Sequence, residues 1–187
     1  MLLFIDTHDS LITIAIKYND KLFTKTMESD YSHSKLVMPM IKCIFEENGL
    51  DIHNLDEILV VNGPGSFTGI RIGLTVAKTI AYSLKIKIKC ISSLTAYLVS
   101  SDYDDNKMCV IEDNKGYYLS VFDKNNNVIV DECYVTNYDY NYYVVENELD
   151  VNKIIEFSKS LDYENYYHVK SNYVKKIEVE KWLKWKK

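Results

Sequence analysis

Short apolar runs at the start of the chain predict three consecutive β-strands. Residues 2–6, 11–18 and 22–27 are rich in β-forming residues, and polar turns separate them. The pair Asn19 and Asp20 is typical of a hairpin tip. We therefore expect an antiparallel meander in this part of the chain.

A helical pattern follows over residues 34–48. Its apolar residues recur at helical spacing, at Leu36, Met40, Cys43 and Ile44. Gly49 stands where a helix commonly ends on a residue with positive φ. Pro39 leaves two alternatives: the helix is kinked early, or it begins near Met38 with Pro39 in its first turn.

The next segments predict a layer of parallel strands covered by helices. Residues 58–62 form a continuous apolar run of the kind that is buried in a parallel sheet. A glycine-rich turn, a helix over about residues 69–84 and a strand over 86–91 follow it. The order βββαβαβ fits an α/β layer.

The second half of the chain repeats the opening pattern in weaker form. At an offset of 106 residues, Ile5-Asp6 matches Ile111-Glu112, and residues 11–16 match 117–122. Because an actin-like fold requires two βββ-led halves, we predict an α/β protein with the actin-like ATPase (ribonuclease H-like) fold. The chain would have two βββαβα lobes, the first over residues 1–100 and a smaller second one over residues 101–187. After a polar loop from residue 139, we expect a helix near 151–160, a strand near 166–169 and a terminal helix.

Glycine is concentrated in one segment of this glycine-poor chain. Four of the six glycines and one of the two prolines fall within residues 62–73, between a predicted strand and a helix. Such a segment either aims backbone amides at an anion or forms a tight turn packed against a neighbour, and we favour the turn. Its spacing matches neither common nucleotide-binding glycine motif. The predicted structural turn comprises Gly63, Pro64, Gly65, Ser66, Thr68, Gly69 and Gly73.

Arg71 is the only arginine in a chain with 21 lysines. A planar guanidinium that can donate two parallel hydrogen bonds is therefore needed there, and we expect it to bind a carboxylate or a partner carbonyl. Behind it, Gly73, Ala77 and Ala81 place small side chains on one helix face. That face predicts either packing on the sheet of the same domain or a close contact with a helix of another subunit.

Composition excludes several classes of protein. The net charge of -5 excludes a surface that binds nucleic acid throughout, although a local basic patch remains possible. No run approaches the roughly 20 apolar residues of a membrane span, and the N-terminus lacks the basic region of a signal peptide, so we expect a cytoplasmic protein without a membrane contact. The four cysteines lie far apart in apolar runs, which predicts buried free thiols and no metal site.

Several motifs, in the same order and spacing, resemble the TsaB family. They are Phe4-Ile5-Asp6-Thr7, Ser32-His33-Ser34 leading to Met38-Pro39-Met40, the highly specific segment from Gly63 to Gly73, and Ser92-Ser93-Leu94. This resemblance covers about residues 2–99. Beyond it, residues 111–116 and 172–176 resemble a strand-turn and a C-terminal tyrosine-aliphatic-basic motif. Asn114 stands where the family tends to have arginine, and the second lobe is shorter than usual.

The resemblance implies a non-catalytic scaffold that pairs through its first two helices with the related catalytic subunit, TsaD. A small ATPase, TsaE, would be a further partner. The complex transfers a threonylcarbamoyl group to the adenosine next to the anticodon, in tRNAs that read codons beginning with adenine. ATP and metal are expected on the partner subunits and no cofactor on this chain. The implied interface residues are Ser32, His33, Leu36, Val37, Met40, Ile44, Arg71, Leu74 and Lys78.

The chain itself shows little sign of catalytic chemistry. The turn that begins Asp6-Thr7 continues with a bulky His8 and a second acid, Asp9, where an actin-like ATPase needs small residues around phosphate, so we interpret it as a degenerate phosphate loop. The catalytic relatives bind metal through two histidines one helical turn apart, and here His33 is followed at that spacing by Val37. His8, His53 and His168 are expected to be surface or turn residues.

Three alternatives remain at the level of sequence. The first is the scaffold, which would form a homodimer when alone and contact tRNA indirectly or through its basic C-terminal tail, where six lysines accompany Trp182 and Trp185. An amphipathic helix that packs these tryptophans on the second lobe is the favoured interpretation of that tail. The second alternative is an ATP-dependent small-molecule kinase of the same fold. The third is a homodimer unconnected with tRNA.

Overall fold

A computed structural model describes residues 1–30 and 32–175. The first lobe is built on a five-stranded sheet in the order β3-β2-β1-β4-β5. Its strands are β1 (Leu2–Asp6), β2 (Leu11–Tyr18), β3 (Lys21–Glu28), β4 (Glu57–Val61) and β5 (Lys87–Ile91). The meander β1–β3 is antiparallel, whereas β4 and β5 continue parallel to β1, as predicted.

Helices cover both faces of this sheet. They are α1 (His33–Glu47), α2 (Phe67–Leu84) and α3 (Ser93–Ser100), with a short 3-10 turn at Ile52–Asn54. Alternate residues of the central strand β1 enter two different cores. Leu3 and Ile5 pack with α1 and α2, whereas Leu2 and Phe4 pack with α3 and the second lobe. The two lobes are therefore joined by a continuous apolar layer.

The second lobe repeats the arrangement of the first. Its sheet has the order β8-β7-β6-β9, in which β6 is antiparallel to β7 and parallel to β9, as β1 is to β2 and β4. The strands are β6 (Lys107–Asp113), β7 (Gly116–Phe122), β8 (Val128–Val135) and β9 (Tyr143–Val144), followed by α4 (Val151–Ser158). Residues 136–142, between β8 and β9, contain no helix, whereas α1 fills the corresponding connection of the first lobe. The predicted duplication with a reduced second lobe is confirmed.

Two local predictions need correction, one helix was missed, and one prediction is not tested. The first helix begins at His33, so a start near Met38 is wrong, and Pro39 lies inside the helix with its side chain exposed. Helix α3 was not predicted. Residues 166–169 form no strand, because the only pairing in that region is a single bridge between Glu164 and Ile88. The predicted terminal helix and nearly all of the basic tail lie outside the described residues.

Two further predictions concern the whole molecule. All four cysteines are free thiols, as predicted, but only Cys109 is fully buried. Among residues 1–30 and 32–175, none of the helices combines the length and the apolar character that a membrane crossing requires.

Candidate functional site

The turn after β1 holds a buried network of polar side chains. Asp6 accepts hydrogen bonds from the backbone amide of His8 (3.0 Å) and lies 2.8 Å from its ring atom Nδ1. The other ring nitrogen, Nε2, lies 2.9 Å from the hydroxyl of Tyr97, which donates to Asp9 at 3.3 Å. His8 is 2% exposed, so it is a buried turn residue and its predicted surface alternative is wrong.

Charge surrounds the imidazole of His8. Burial alone would lower its pKa, but the adjacent carboxylate of Asp6, with a smaller contribution from Asp9, outweighs burial and raises the pKa above its ordinary value. Burial also raises the pKa of Tyr97, so its hydroxyl keeps its proton. Hydrogen bonds to side chains thus hold this turn in place. A phosphate-binding turn at the same position would instead leave its backbone amides free to bind the phosphate.

The glycine-rich segment closes over this turn from the other side. A Cβ atom on Gly65 would lie 2.3 Å from the carbonyl oxygen of His8, and one on Gly69 would lie 2.1 Å from that of Thr7. Thr7 donates its hydroxyl to the Gly69 carbonyl (2.8 Å), and the Ser66 amide donates to His8 (2.6 Å). The glycines are needed for close backbone approach, which supports the tight-turn interpretation over an anion cradle.

The start of α2 uses its own cap. Ser66 is the N-cap, and its hydroxyl accepts a hydrogen bond from the amide of Gly69. Gly73 lies inside α2, not in the turn, and a Cβ atom there would lie 2.2 Å from the hydroxyl of Thr7. Ala77 and Ala81 are fully buried in the first-lobe core. The small face therefore packs within the chain, and the alternative of a subunit contact on that face is wrong.

An acidic cleft separates the lobes next to the turn. It has a volume of about 1130 Å³, and its lining includes the carboxylates of Asp9, Glu28, Asp30, Glu112 and Asp113. Of these, Asp113 is paired with Lys175 at 2.7 Å, and this hydrogen bond holds the pKa of Asp113 below its ordinary value. Several like charges facing one cleft oppose the binding of a polyphosphate.

A second surface lies on the outer side of α1 and α2. A groove of about 470 Å³ runs there, lined by Ser34, Phe67, Thr68, Arg71, Ile72, Thr75 and Val76. Phe67 is 54% exposed, and Met38, on the outer face of α1, is 48% exposed. Exposed large apolar side chains at adjacent helix faces are typical of a protein interface.

The structure changes which of the implied interface residues can reach a partner. Five of them are buried, because their helix faces pack against the sheet: His33, Val37, Met40, Ile44 and Leu74. The remaining four, Ser32, Leu36, Arg71 and Lys78, are exposed or half-buried. We therefore correct the predicted face outward, to the groove-lining side chains of both helices. His33 places its Nε2 2.7 Å from the carbonyl of Asp9 and so joins α1 to the β1–β2 turn.

Within the described residues 1–30 and 32–175, Arg71 binds no carboxylate, and the predicted alternative of a partner carbonyl stays a prediction. Its Nε and Nη2 atoms both donate to the hydroxyl of Tyr173, at 3.1 and 3.0 Å, and its guanidinium lies 3.6 Å from the centre of the Phe67 ring. The planar guanidinium does donate two hydrogen bonds, but both go to the phenol oxygen of a tyrosine in the same chain. Sequence reasoning missed the roles of Phe67, Tyr97 and Tyr173, because no local pattern marks partners that lie far away along the chain.

Comparison with known families agrees with this architecture. The family model described as "TsaD: tRNA N6-adenosine threonylcarbamoyltransferase" matches residues 27–159, more than two thirds of the chain. The chain therefore belongs to this family. Within it, the chain is similar to several TsaB proteins, in agreement with the resemblance of its sequence motifs.

Curated relatives show this similarity in sequence, and a solved structure shows the same fold. The TsaB protein of Bacillus subtilis, described as a tRNA threonylcarbamoyladenosine biosynthesis protein, is 34% identical over 60% of this chain and 49% of its own length. The Haemophilus influenzae TsaB protein is 33% identical over 51% and 40%. These alignments span about half, or less, of the relatives' length. A solved structure of YeaZ from Pseudomonas aeruginosa has the same fold, with a TM-score of 0.80 at 16% identity over 92% of this chain and 98% of that one.

Proposed function

We propose that this chain is a non-catalytic scaffold subunit that pairs with a TsaD-like catalytic subunit. The pair would carry out threonylcarbamoylation of the adenosine adjacent to the anticodon in tRNAs that read codons beginning with adenine. The observation that carries the proposal is the contrast between two surfaces. The cleft where an actin-like enzyme would hold nucleotide is lined by carboxylates, and the β1–β2 turn beside it is packed against the glycine-rich segment, whereas the outer face of α1 and α2 is open and partly apolar.

The negative charge of the cleft supports the proposal that this subunit binds no nucleotide. Asp9 and Glu112 come from the turn regions of the two lobes that would face phosphate. In addition, Asp6 is 1% exposed and already bonded to His8, so it is poorly placed to hold a metal ion. We therefore infer that ATP and metal belong to the TsaD-like subunit and a TsaE-like ATPase. A kinase of the same fold is the less favoured alternative.

The groove on α1 and α2 is the proposed contact with the TsaD-like subunit. Phe67 offers an exposed ring to this groove, and Thr68, Ile72 and Thr75 also line it. When the partner is absent, the same face would pair with a second copy around a two-fold axis. Assembly would take place in the cytoplasm, and any tRNA contact of this chain would be indirect or made by its basic tail.

Light scattering of the chain, the TsaD-like protein of the same organism and their mixture tests the proposal. We expect a heterodimer, together with tRNA modification that requires both proteins. Thr75→Arg places a large cation in the groove and should weaken the heterodimer by roughly tenfold or more. Ser83→Arg, at an exposed position of the same helix outside the groove, is the matched control. The proposal fails if no complex forms and modification is indifferent to this chain.

A further inference from the structure

Residues 169–175, here named the strap, run across both lobes after α4. The side-chain amide of Asn172 donates to Glu132 on β8 at 2.6 Å, and its backbone amide donates to the carbonyl of Asn62 at 2.8 Å. One residue thus holds the end of β4 in the first lobe and a strand of the second. The strap starts from the first-lobe core, where Val169 is 3% exposed.

The strap has a firm anchor on the second lobe. Lys175 donates to Asp113 at 2.7 Å and to the hydroxyl of Tyr134 at 3.0 Å, and its ammonium lies 4.2 Å from the centre of the Tyr134 ring. Glu132, which holds Asn172, also accepts from the hydroxyl of Thr95 at 3.3 Å. Charge-assisted bonds of this kind are stronger than neutral ones, and they tie the end of the strap to the second lobe.

Between these anchors, Tyr173 reaches the face of α2. Its hydroxyl accepts both donors of Arg71, and its ring centre lies 6.1 Å from that of Phe67. The Tyr173 hydroxyl therefore sets the direction in which the Arg71 guanidinium points, and the Phe67 ring supports one face of that guanidinium. A lysine at position 71 would offer one point of attachment, which gives a physical reason for the single arginine of the chain.

We propose that the strap completes the partner-binding face and that Tyr173 is a positioning residue for Arg71. This inference rests on the proposed function and deepens it. The second lobe anchors the strap through Asp113, Tyr134 and Glu132, the strap presents Tyr173, and Tyr173 holds Arg71 in the groove that receives the TsaD-like subunit. The reduced second lobe thereby acts on a surface that belongs to the first lobe.

The single arginine makes the positioning step directly visible. In a nitrogen–proton correlation spectrum of the free chain, the Nε–H group of Arg71 gives one side-chain signal that no other residue can produce. We expect Tyr173→Phe, which removes the acceptor and keeps the ring, to shift this signal toward the position of a solvated guanidinium. Lys175→Met, which changes only the second-lobe anchor, should shift it in the same direction. Lys159→Met removes another second-lobe ion pair, with Glu156, away from the strap and should leave the signal in place.

Titration with the TsaD-like subunit tests the binding step. Tyr173→Phe and Lys175→Met should each weaken the heterodimer by roughly fivefold or more, and Lys159→Met should not. In an Arg71→Ala background the further change Tyr173→Phe should have almost no effect, because the two residues act through one contact. A thermal melt of each variant checks that the chain is folded.

Each outcome decides one step. If Tyr173→Phe leaves the Arg71 signal unchanged, the strap does not position Arg71 and the inference is overturned. If Lys175→Met leaves it unchanged, the second lobe does not act on Arg71 through this anchor, and that step of the inference is overturned. If the signal moves but affinity for the TsaD-like subunit is that of the wild type, the strap only joins the lobes, and its part in the interface is disproved. If the wild-type chain binds no TsaD-like subunit, the proposed function fails, and with it the interface step, while the spectrum still decides whether the strap positions Arg71.

Discussion

Gly65 lies so close to His8 that a Cβ atom added to the glycine would meet the His8 carbonyl oxygen at 2.3 Å. Gly65 also has a φ of +154°, which side chains rarely adopt. This contact packs the glycine-rich segment against the β1–β2 turn and leaves no room between their backbones. It is the physical basis for treating the segment as a structural turn.

Gly65→Ala should therefore destabilise the chain strongly. The methyl group meets backbone atoms that cannot move without breaking the hydrogen bond from Ser66 to His8, so we expect a loss of about 2–4 kcal/mol in the free energy of unfolding. Gly49→Ala is the matched control, since Gly49 also has positive φ but nothing within 4 Å of its added Cβ atom. That control should lose only about 1 kcal/mol in urea denaturation. Equal losses at the two positions would contradict the close contact.

The pKa of His8 predicts a dependence of stability on pH. Because its folded pKa is raised above the ordinary value of 6.5, the protonated ring stabilises the fold. This contribution is fully present below pH 6.5 and is lost as the pH rises through the folded pKa. In the protonated state both ring nitrogens donate, one to Asp6 and one to Tyr97, and the Tyr97 hydroxyl is then directed to Asp9.

We expect His8→Gln to lower the melting temperature more at acidic than at alkaline pH. Thermal melts of the wild type and the variant over about pH 5.5 to 8.5 measure the difference. His53→Gln, at an exposed histidine, provides the control and should follow the wild type at every pH. A difference between His8→Gln and the wild type that grows toward alkaline pH would reverse the sign and refute the assignment.

Local patterns were sufficient for much of the fold. The strands β1 to β5 and helix α2 were predicted within about two residues, because their apolar periodicity and turn residues are local signals. Helix α3 was missed because Leu94, Ala96, Tyr97, Leu98 and Val99 are all buried, so this short helix shows no amphipathic period. At Pro39 the burial of the neighbouring residues Val37 and Met40 outweighs the local preference of proline for a helix start.

The contacts of the candidate site could not be predicted in the same way. His8 and Tyr97 are 89 residues apart in the chain, and Arg71 and Tyr173 are 102 apart. The sequence marked Arg71 as exceptional because it is the only arginine, but it did not mark the phenol that binds it. Five of the implied interface residues are buried, and this could not be foreseen because helical spacing alone does not tell which apolar positions face the core.

A buried lysine provides a further test of how the lobes are joined. Lys89 is 5% exposed on β5 and donates to the carbonyl of Ser158, at the end of α4, at 2.8 Å. Replacing it by methionine keeps the stem but removes this bond and the pairing of Lys89 with Glu57 at 3.8 Å, while the Ser158 carbonyl keeps only the bond from the Leu161 amide, so we expect a loss of about 1–3 kcal/mol in urea denaturation. Lys87→Met, at the exposed lysine two positions earlier on the same strand, should change stability by less than about 0.5 kcal/mol. Indistinguishable losses would show that the bond to α4 contributes nothing.

The acidic cleft predicts that the chain alone binds no nucleotide. Isothermal titration with ATP and Mg²⁺ should show no saturable heat, because the phosphates would face Asp9, Glu28 and Glu112 in a cleft beside which the β1–β2 turn is packed against the glycine-rich segment. The same titration of the TsaD-like subunit is the positive control. Saturable binding to this chain, weakened by Asp6→Asn, would instead favour the kinase alternative, since that enzyme needs the aspartate at the end of β1 for its metal-bound phosphates. A heat signal that Asp6→Asn does not alter would indicate binding outside the cleft and would leave the kinase alternative without support.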